Sequence, residues 1–261
     1  MIVLHVGLTV ESVSQSAQFS LIDQWPGYKP GSAKALALEN DFLYVGLDYS
    51  SGFLVLDVSD PSRPFLVGAT TAPGKEHTSS VAVREGHAYL TNEQHELVIY
   101  DVKDPAHIRE LNRPPGFGPA RSIHFDGATA YVPCGEAGLV IADVSNPAFP
   151  ILLGRYDSPG TATSVQVLGS VAFLADYEEG LKIVSVENPT KTRLIGSYKW
   201  VPTSVDVEIV DNYAYLADQN AGIKIIDVSD PSHPFRVASL GNIGGTDSIE
   251  IVGSVLISIS S

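Results

Sequence analysis

Apolar and polar residues alternate with a period of two along most of the chain, in short runs rich in Val, Ile, Leu and Tyr. Such runs, bounded by Gly, Asn, Asp and Pro, predict half-buried strands joined by turns. No segment carries a 3.6-residue apolar period, so no amphipathic helix is expected. The pattern also repeats. LVLDVSDP begins at Leu54, LVIYDVKDP at Leu97, LVIADVSNP at Leu139, LKIVSVENP at Leu181 and IKIIDVSDP at Ile223. The motif residues Asp57, Asp101, Asp143, Ser185 and Asp227 fall 44, 42, 42 and 42 positions apart. Upstream of each lies a strand pairing a small residue with an aromatic: LYVG at Leu43, AYLT at Ala88, AYVP at Ala130, AFLA at Ala172 and AYLA at Ala214. Every unit reads as four short strands; in the fifth they are SVDVEIV, YAYLAD, GIKIIDVS and PFRVASL.

A four-stranded unit recurring at this spacing is the signature of a propeller blade. The expectation is therefore all-β: a six-bladed β-propeller of four-stranded antiparallel blades, one domain over residues 1–261. The last unit, SIEIVGSVLISISS, supplies only two strands, whereas IVLHV at Ile2 resembles a third strand and FSLIDQWPG at Phe19 a fourth. N-terminal strands are thus expected to pair with C-terminal ones in a closing blade shared by about 1–25 and 245–261, which removes open sheet edges. The repeated unit, a small-aromatic strand, a Gly, then IIDVS(D/N)P and a further Pro, resembles the LVIVD-repeat family over nearly the whole chain. That resemblance implies a β-propeller, often on secreted or surface proteins, and implies no known reaction.

Acidic residues outnumber basic ones 30 to 16, for a formal charge of −14. This speaks against nucleic acid and anionic membranes, whose binders need basic surface. No apolar run approaches the ~20 residues of a membrane span. The start, MIVLHVGLTVES, lacks a basic region and a cleavage site, so a cytoplasmic protein is expected, or a cell-surface one if the chain is a piece of a longer protein. A monomer is expected. The single cysteine, Cys134, can form no intrachain disulfide and reads as an inert thiol at the edge of the core.

The repeated aspartates, with Asp60, Asp104, Asn146, Asn188 and Asp230 before prolines, read as turn-formers whose side chains accept backbone N–H bonds. Function is expected where the copies differ, on the loops joining second to third strands and fourth to following first strands. Aligned first strands place Ala35, Ser80, Ser122, Ser164, Asp206 and Ser248 at one position. Two residues on come Ala37, Ala82, His124, Gln166, Glu208 and Glu250. The last four depart from the small residue usual there and would line a central channel, binding a ligand or, through hard carboxylate oxygens, a cation. His77, His95 and His124 could add nitrogen ligands for an ion such as zinc, although no metal-binding spacing links them. Trp25, Trp200 and Tyr177 fall in loops or at strand ends, where aromatics can stack on sugars or anchor a protein. Lys34 and Arg121 share one position ahead of the inner strands and bring positive charge to a rim of acids that includes Asp176, Glu178, Glu179 and Asp218.

There is no G-x-S-x-G elbow, P-loop, H-E-x-x-H or EF-hand loop. The first expectation is a non-catalytic binding module that presents one face to a protein, peptide or glycan. The alternative is a metal-dependent, lactonase-like hydrolase at the channel mouth, with Glu208 and Glu250 holding a divalent cation (Ca or Zn) and His77 as base.

Overall fold

Each repeat folds into one antiparallel sheet with its strands in chain order. The computed structural model describes residues 33–47, 52–71, 78–92, 97–199, 203–241, 245–253 and 255–259. The first sheet holds β1 (Ala33–Glu39), β2 (Phe42–Leu47), β3 (Gly52–Asp57) and β4 (Phe65–Thr71); the second holds β5 (Thr78–Arg84), β6 (His87–Asn92), β7 (Leu97–Asp101) and β8 (Arg109–Asn112). The third comprises β9 (His124–Asp126), β10 (Thr129–Pro133), β11 (Leu139–Asp143) and β12 (Ile151–Tyr156). The fourth comprises β13 (Ala162–Leu168), β14 (Val171–Asp176), β15 (Gly180–Ser185) and β16 (Arg193–Tyr198). The fifth has β17 (Ser204–Val210), β18 (Tyr213–Asp218), β19 (Gly222–Asp227) and β20 (Phe235–Leu240). A last sheet has two described strands, β21 (Ser248–Val252) and β22 (Val255–Ile259). The only helical turn among the described residues is Pro189–Lys191, and no described helix is long and apolar enough to cross a membrane. The N-terminal half of the expected closing blade lies outside the described residues.

The described residues divide into two compact units, one running from 33 to 135 with 140–153, the other 136–139 with 154 to 259. In the first, Tyr44, Phe53 and Val55 of one sheet pack on Val81, Leu90, Val98 and Tyr100 of the next. Phe53 is fully buried and meets the Tyr100 ring edge-on at 5.2 Å, a geometry worth about 0.5–1.5 kcal/mol beyond the burial itself. In the second unit Phe173, Leu181 and Ile183 of the fourth sheet pack on Val207, Leu216 and Ile226 of the fifth. Small-aromatic strands suit this stacking: the aromatic fills one face while Ala88, Ala172 or Ala214 lets the neighbouring sheet approach.

The turns behave as their sequence demands. Asp57, Asp101, Asp143 and Asp227 each accept the N–H two residues on, at 2.9, 3.2, 2.7 and 2.9 Å. Asp60, Asp104, Asn146, Asn188 and Asp230 do the same at 3.0–3.2 Å. Hydroxyls of Ser59, Ser62, Ser229 and Ser232 hold the carboxyls of Asp57, Asp60, Asp227 and Asp230 below the usual range, that of Asp230 near 2. His233 lies against Asp230 as His107 lies against Asp104, both on exposed turns, so the local Ser232–His233–Asp230 grouping is a turn and not a catalytic triad.

Successive sheets are fastened at their outer strands. A Cβ placed on Gly68, Gly154 or Gly196 would lie 1.9, 1.8 or 2.2 Å from the carbonyl oxygen of Pro105, Pro189 or Pro231 in the following repeat's turn. Glycine is required there for close approach. In the second sheet the position is Asn112, whose Nδ2 instead donates to the Ala148 carbonyl at 2.8 Å.

Candidate functional site

First strands carry a recurrent irregularity that sets the site. The register of β1, β5, β13 and β17 against their partners skips one residue, at Lys34, Ser79, Thr163 and Val205. Such a bulge bends the strand and re-aims the side chains beyond it. After it Ala37, Ala82, Gln166 and Glu208 pair with Tyr44, Tyr89, Phe173 and Tyr215, and at the same position of β9 and β21 His124 and Glu250 pair with Tyr131 and Ile257. The equivalence expected from the repeats is therefore structural.

In the C-terminal unit, polar side chains on three successive sheets join into rows. Nearest the loops, Tyr177 Oη donates to Gln219 Oε1 at 3.3 Å and Gln219 Nε2 donates to Asp247 Oδ1 at 3.0 Å. Below it, Asp206 is the hub. Its Oδ1 accepts the Ser164 hydroxyl at 2.6 Å and the Val207 N–H at 2.9 Å; its Oδ2 accepts the Ser248 hydroxyl at 2.9 Å and the Ile249 N–H at 3.0 Å. One carboxylate thus binds first strands β13, β17 and β21 together. In the third row Gln166 Nε2 donates to Glu208 Oε1 at 2.9 Å, with Glu250 at the next position. The bulge residue Thr163 adds a stitch, its hydroxyl lying 3.0 Å from the Ala175 carbonyl and 3.1 Å from that of Ser204.

Electrostatics single out Glu208. Burial, then the negative charges of Asp206 and Glu250, push its carboxyl up to about 7, and the Gln166 bond only partly offsets them. The group holds its proton in weak acid and ionises near neutrality. Glu250 is exposed, so the row ends in a carboxylate open to solvent.

Two expected rim acids are interior groups. Asp176 and Asp218 are buried at the ends of β14 and β18, contrary to a solvated rim, because Ser158 and Gly160 ahead of β13 and Thr203 ahead of β17 close on them. Asp176 accepts the Ser158 hydroxyl and the Gly160 N–H; burial raises its pKa despite these bonds and nearby Lys182. Asp218 Oδ1 accepts the Thr203 hydroxyl at 2.5 Å and the N–H groups of Asn220 and Ala221 at 2.9 and 3.0 Å. Beside them sit Lys182 and Lys224, 5% and 4% exposed, where the other third strands carry Leu54, Val98 and Val140. Lys182 Nζ reaches Glu179 at 3.3 Å; Lys224 Nζ donates to the Ala221 carbonyl, and burial lowers its pKa. The signal for this feature was a lysine inside an otherwise apolar third strand, LKIV and IKII.

The other expected site residues are dispersed. His124 is half-buried on β9 in the N-terminal unit. Arg121 is half-buried just before it, with its N–H on the Pro133 carbonyl at 2.9 Å, and Lys34 is exposed on β1. Proline and glycine between Pro114 and Pro119 leave this first strand only three residues long. Cys134 is buried, its thiol on the Val132 carbonyl at 3.3 Å. Trp25, Trp200, His77 and His95 lie outside the described residues. Among the described residues no three His, Cys, Asp or Glu side chains are grouped to hold a metal ion.

Solved structures place the fold. The chain superposes on a Lactobacillus plantarum protein with a TM-score of 0.71 at 16% identity, covering 86% of this chain and 76% of that one. A functionally unknown Desulfotomaculum acetoxidans protein gives 0.67 at 13%, covering 81% and 71%. The β-propeller domain of Myceliophteria thermophila Cps50 (Swd1) gives 0.64 at 11%, covering 83% and 73%. Identities this low speak of fold alone, and the fold is that of a β-propeller. The LVIVD repeat model matches residues 30–71, 75–113, 117–158, 159–199 and 203–240, one match for each four-stranded sheet. The chain belongs to the LVIVD-repeat family. No curated protein matches it in sequence.

Proposed function

We propose that this is a non-catalytic binding propeller of six blades, its closing blade shared by about 1–25 and 245–261, that takes a basic protein or peptide on the face bearing Tyr177, Glu208 and Glu250. One observation carries this reading: where the repeats diverge from Ala35 and Ala37, the replacements assemble into polar rows that end in an exposed carboxylate. A rigid scaffold with variable polar positions is the usual architecture of a binding surface. The charge of −14 favours a cationic ligand over an anionic one. No arrangement of the described residues favours the metal-dependent hydrolase.

The test is a peptide array of matched basic, neutral and acidic sequences alongside a glycan array, followed by calorimetry. Basic peptides are expected to bind, and Glu208→Gln combined with Glu250→Gln to weaken them about tenfold or more. Equal binding to the double variant overturns the assigned face. Exclusive binding to glycans overturns the ligand class.

A further inference from the structure

The outer strand β20 differs from the other four. Val67 and Gly68, Leu111 and Asn112, Leu153 and Gly154, and Ile195 and Gly196 are all half-buried. At the first, third and fourth of these pairs the next repeat's proline turn lies on the glycine; at the second, Asn112 grips the carbonyl of Ala148 in that turn. The equivalent pair on β20 is Val237 and Ala238, and both are exposed. Val237 is 47% accessible, whereas neighbouring Phe235, at 56%, is as open as its equivalents Phe65 and Ile151, at 55% and 60%. The position that is glycine wherever a proline carbonyl lies on it is here alanine, so no proline carbonyl needs to approach it.

The following sheet is β21–β22, whose third-to-fourth turn is not among the described residues. In sequence the missing turn is the stretch between IVLHV and FSLID. Elsewhere the motif residue and the first residue of the fourth strand are eight positions apart, as in Asp227 and Phe235; His5 and Phe19 are fourteen apart. Residues 7–18, GLTVESVSQSAQ, contain no Pro, Asp or Asn, and so cannot make the Asp–Pro turn. They do contain Leu8, Val10 and Val13, and their one charge, Glu11, is opposite in sign to Arg236 on β20. We propose that β20 is the docking face for residues 7–18, whose apolar side chains cover Val237 and Ala238 in place of the proline turn. The proposal rests on the closing-blade reading. A longer, proline-free connector explains the alanine and gives the exposed apolar strip its cover.

Paired cysteines in the full chain test it. Ala238→Cys is combined in turn with Leu8→Cys, Val10→Cys and Val13→Cys, oxidised mildly, and mapped by non-reducing peptide mass spectrometry; buried Cys134 stays out of the reaction. A second pair reports the closing blade alone. Tyr213 faces Asp227 across β18 and β19, which sets Val255 opposite His5, so Val255→Cys is combined with His5→Cys. The expected result is an intramolecular disulfide at one connector position and in the second pair, since a bridge needs Cα atoms within about 7 Å. A bridged second pair with every connector pair still reduced overturns the docking face and leaves the closing blade standing. Bridges only between molecules mean a second copy covers β20, which also overturns the proposal. Reduced cysteines in both sets overturn the closing blade together with it.

Discussion

Glu208 makes stability fall as pH rises. Its carboxyl has an ordinary value of 4.5 and is raised to about 7 in the folded chain. Between those values the folded protein binds a proton that the unfolded chain has released, so unfolding becomes easier with increasing pH. The contribution is complete below about 4.5 and is lost as pH climbs through 7. At 1.36 kcal/mol for each pH unit the full difference corresponds to about 3 kcal/mol. Glu208 is only half-buried, and solvent screening reduces this to roughly 1–2 kcal/mol. At 2–4 °C for each kcal/mol, the expected shift in melting temperature is about 2–8 °C. The perturbation is Glu208→Gln, which keeps the volume and an oxygen for the Gln166 amide at the same place. Melting curves by circular dichroism at pH 4.5, 6 and 8 are compared between the two proteins. Asp176, raised by burial, and the turn aspartates, lowered by their serines, titrate in both proteins and cancel in the difference. The variant should match the parent at pH 4.5 and exceed it at pH 8. Curves that stay parallel from pH 4.5 to 8 refute the raised carboxyl of Glu208 that burial, Asp206 and Glu250 produce.

Asp206→Ala removes the acceptor of two hydroxyls and two N–H groups, and should cost about 2–3 kcal/mol in urea unfolding; a loss under about 0.5 kcal/mol would show that water replaces the hub. Gly154→Ala drives a Cβ against the Pro189 carbonyl and should cost about 2 kcal/mol or more, whereas Ala238→Gly should cost no more than about 1 kcal/mol; equal effects would deny the fastening role of the glycine. Lys224→Leu restores the side chain found at Leu54 and should be neutral or stabilising in the same assay, because Asp218 keeps its Thr203, Asn220 and Ala221 donors; a loss beyond about 2 kcal/mol would make the lysine a required partner.

Repetition is what made this fold readable. A strand pattern alone says that a residue is inside or outside, but five copies align Ser164 with Asp206 and Gln166 with Glu208, and sheet register then carries the alignment into space. The turn aspartates were readable for a related reason: their partners lie two residues away, within reach of any local rule. Asp206 was visible as a position but not as a hub, because its donors come from strands 42 residues away on either side, and nothing local to VDVEIV states that both neighbours offer hydroxyls. Lys182 and Lys224 were missed for the opposite reason. A lysine in LKIV looks like the polar beat of a half-buried strand, and only stacking of sheet on sheet turns that beat into an interior one. The same logic separates scaffold from site. Positions whose needs are met within one repeat vary only among residues that meet the same local need, as at the turns where Asp60, Asp104, Asn146, Asn188 and Asp230 all accept the N–H two residues on. Positions whose needs are met by the neighbouring repeat answer to that repeat, as Gly68, Gly154 and Gly196 answer to the proline carbonyls of the following turns and Asn112 to the Ala148 carbonyl. The polar rows of the C-terminal unit are of this second kind, so a change at Asp206 or Glu208 is felt on the sheets either side as well as its own.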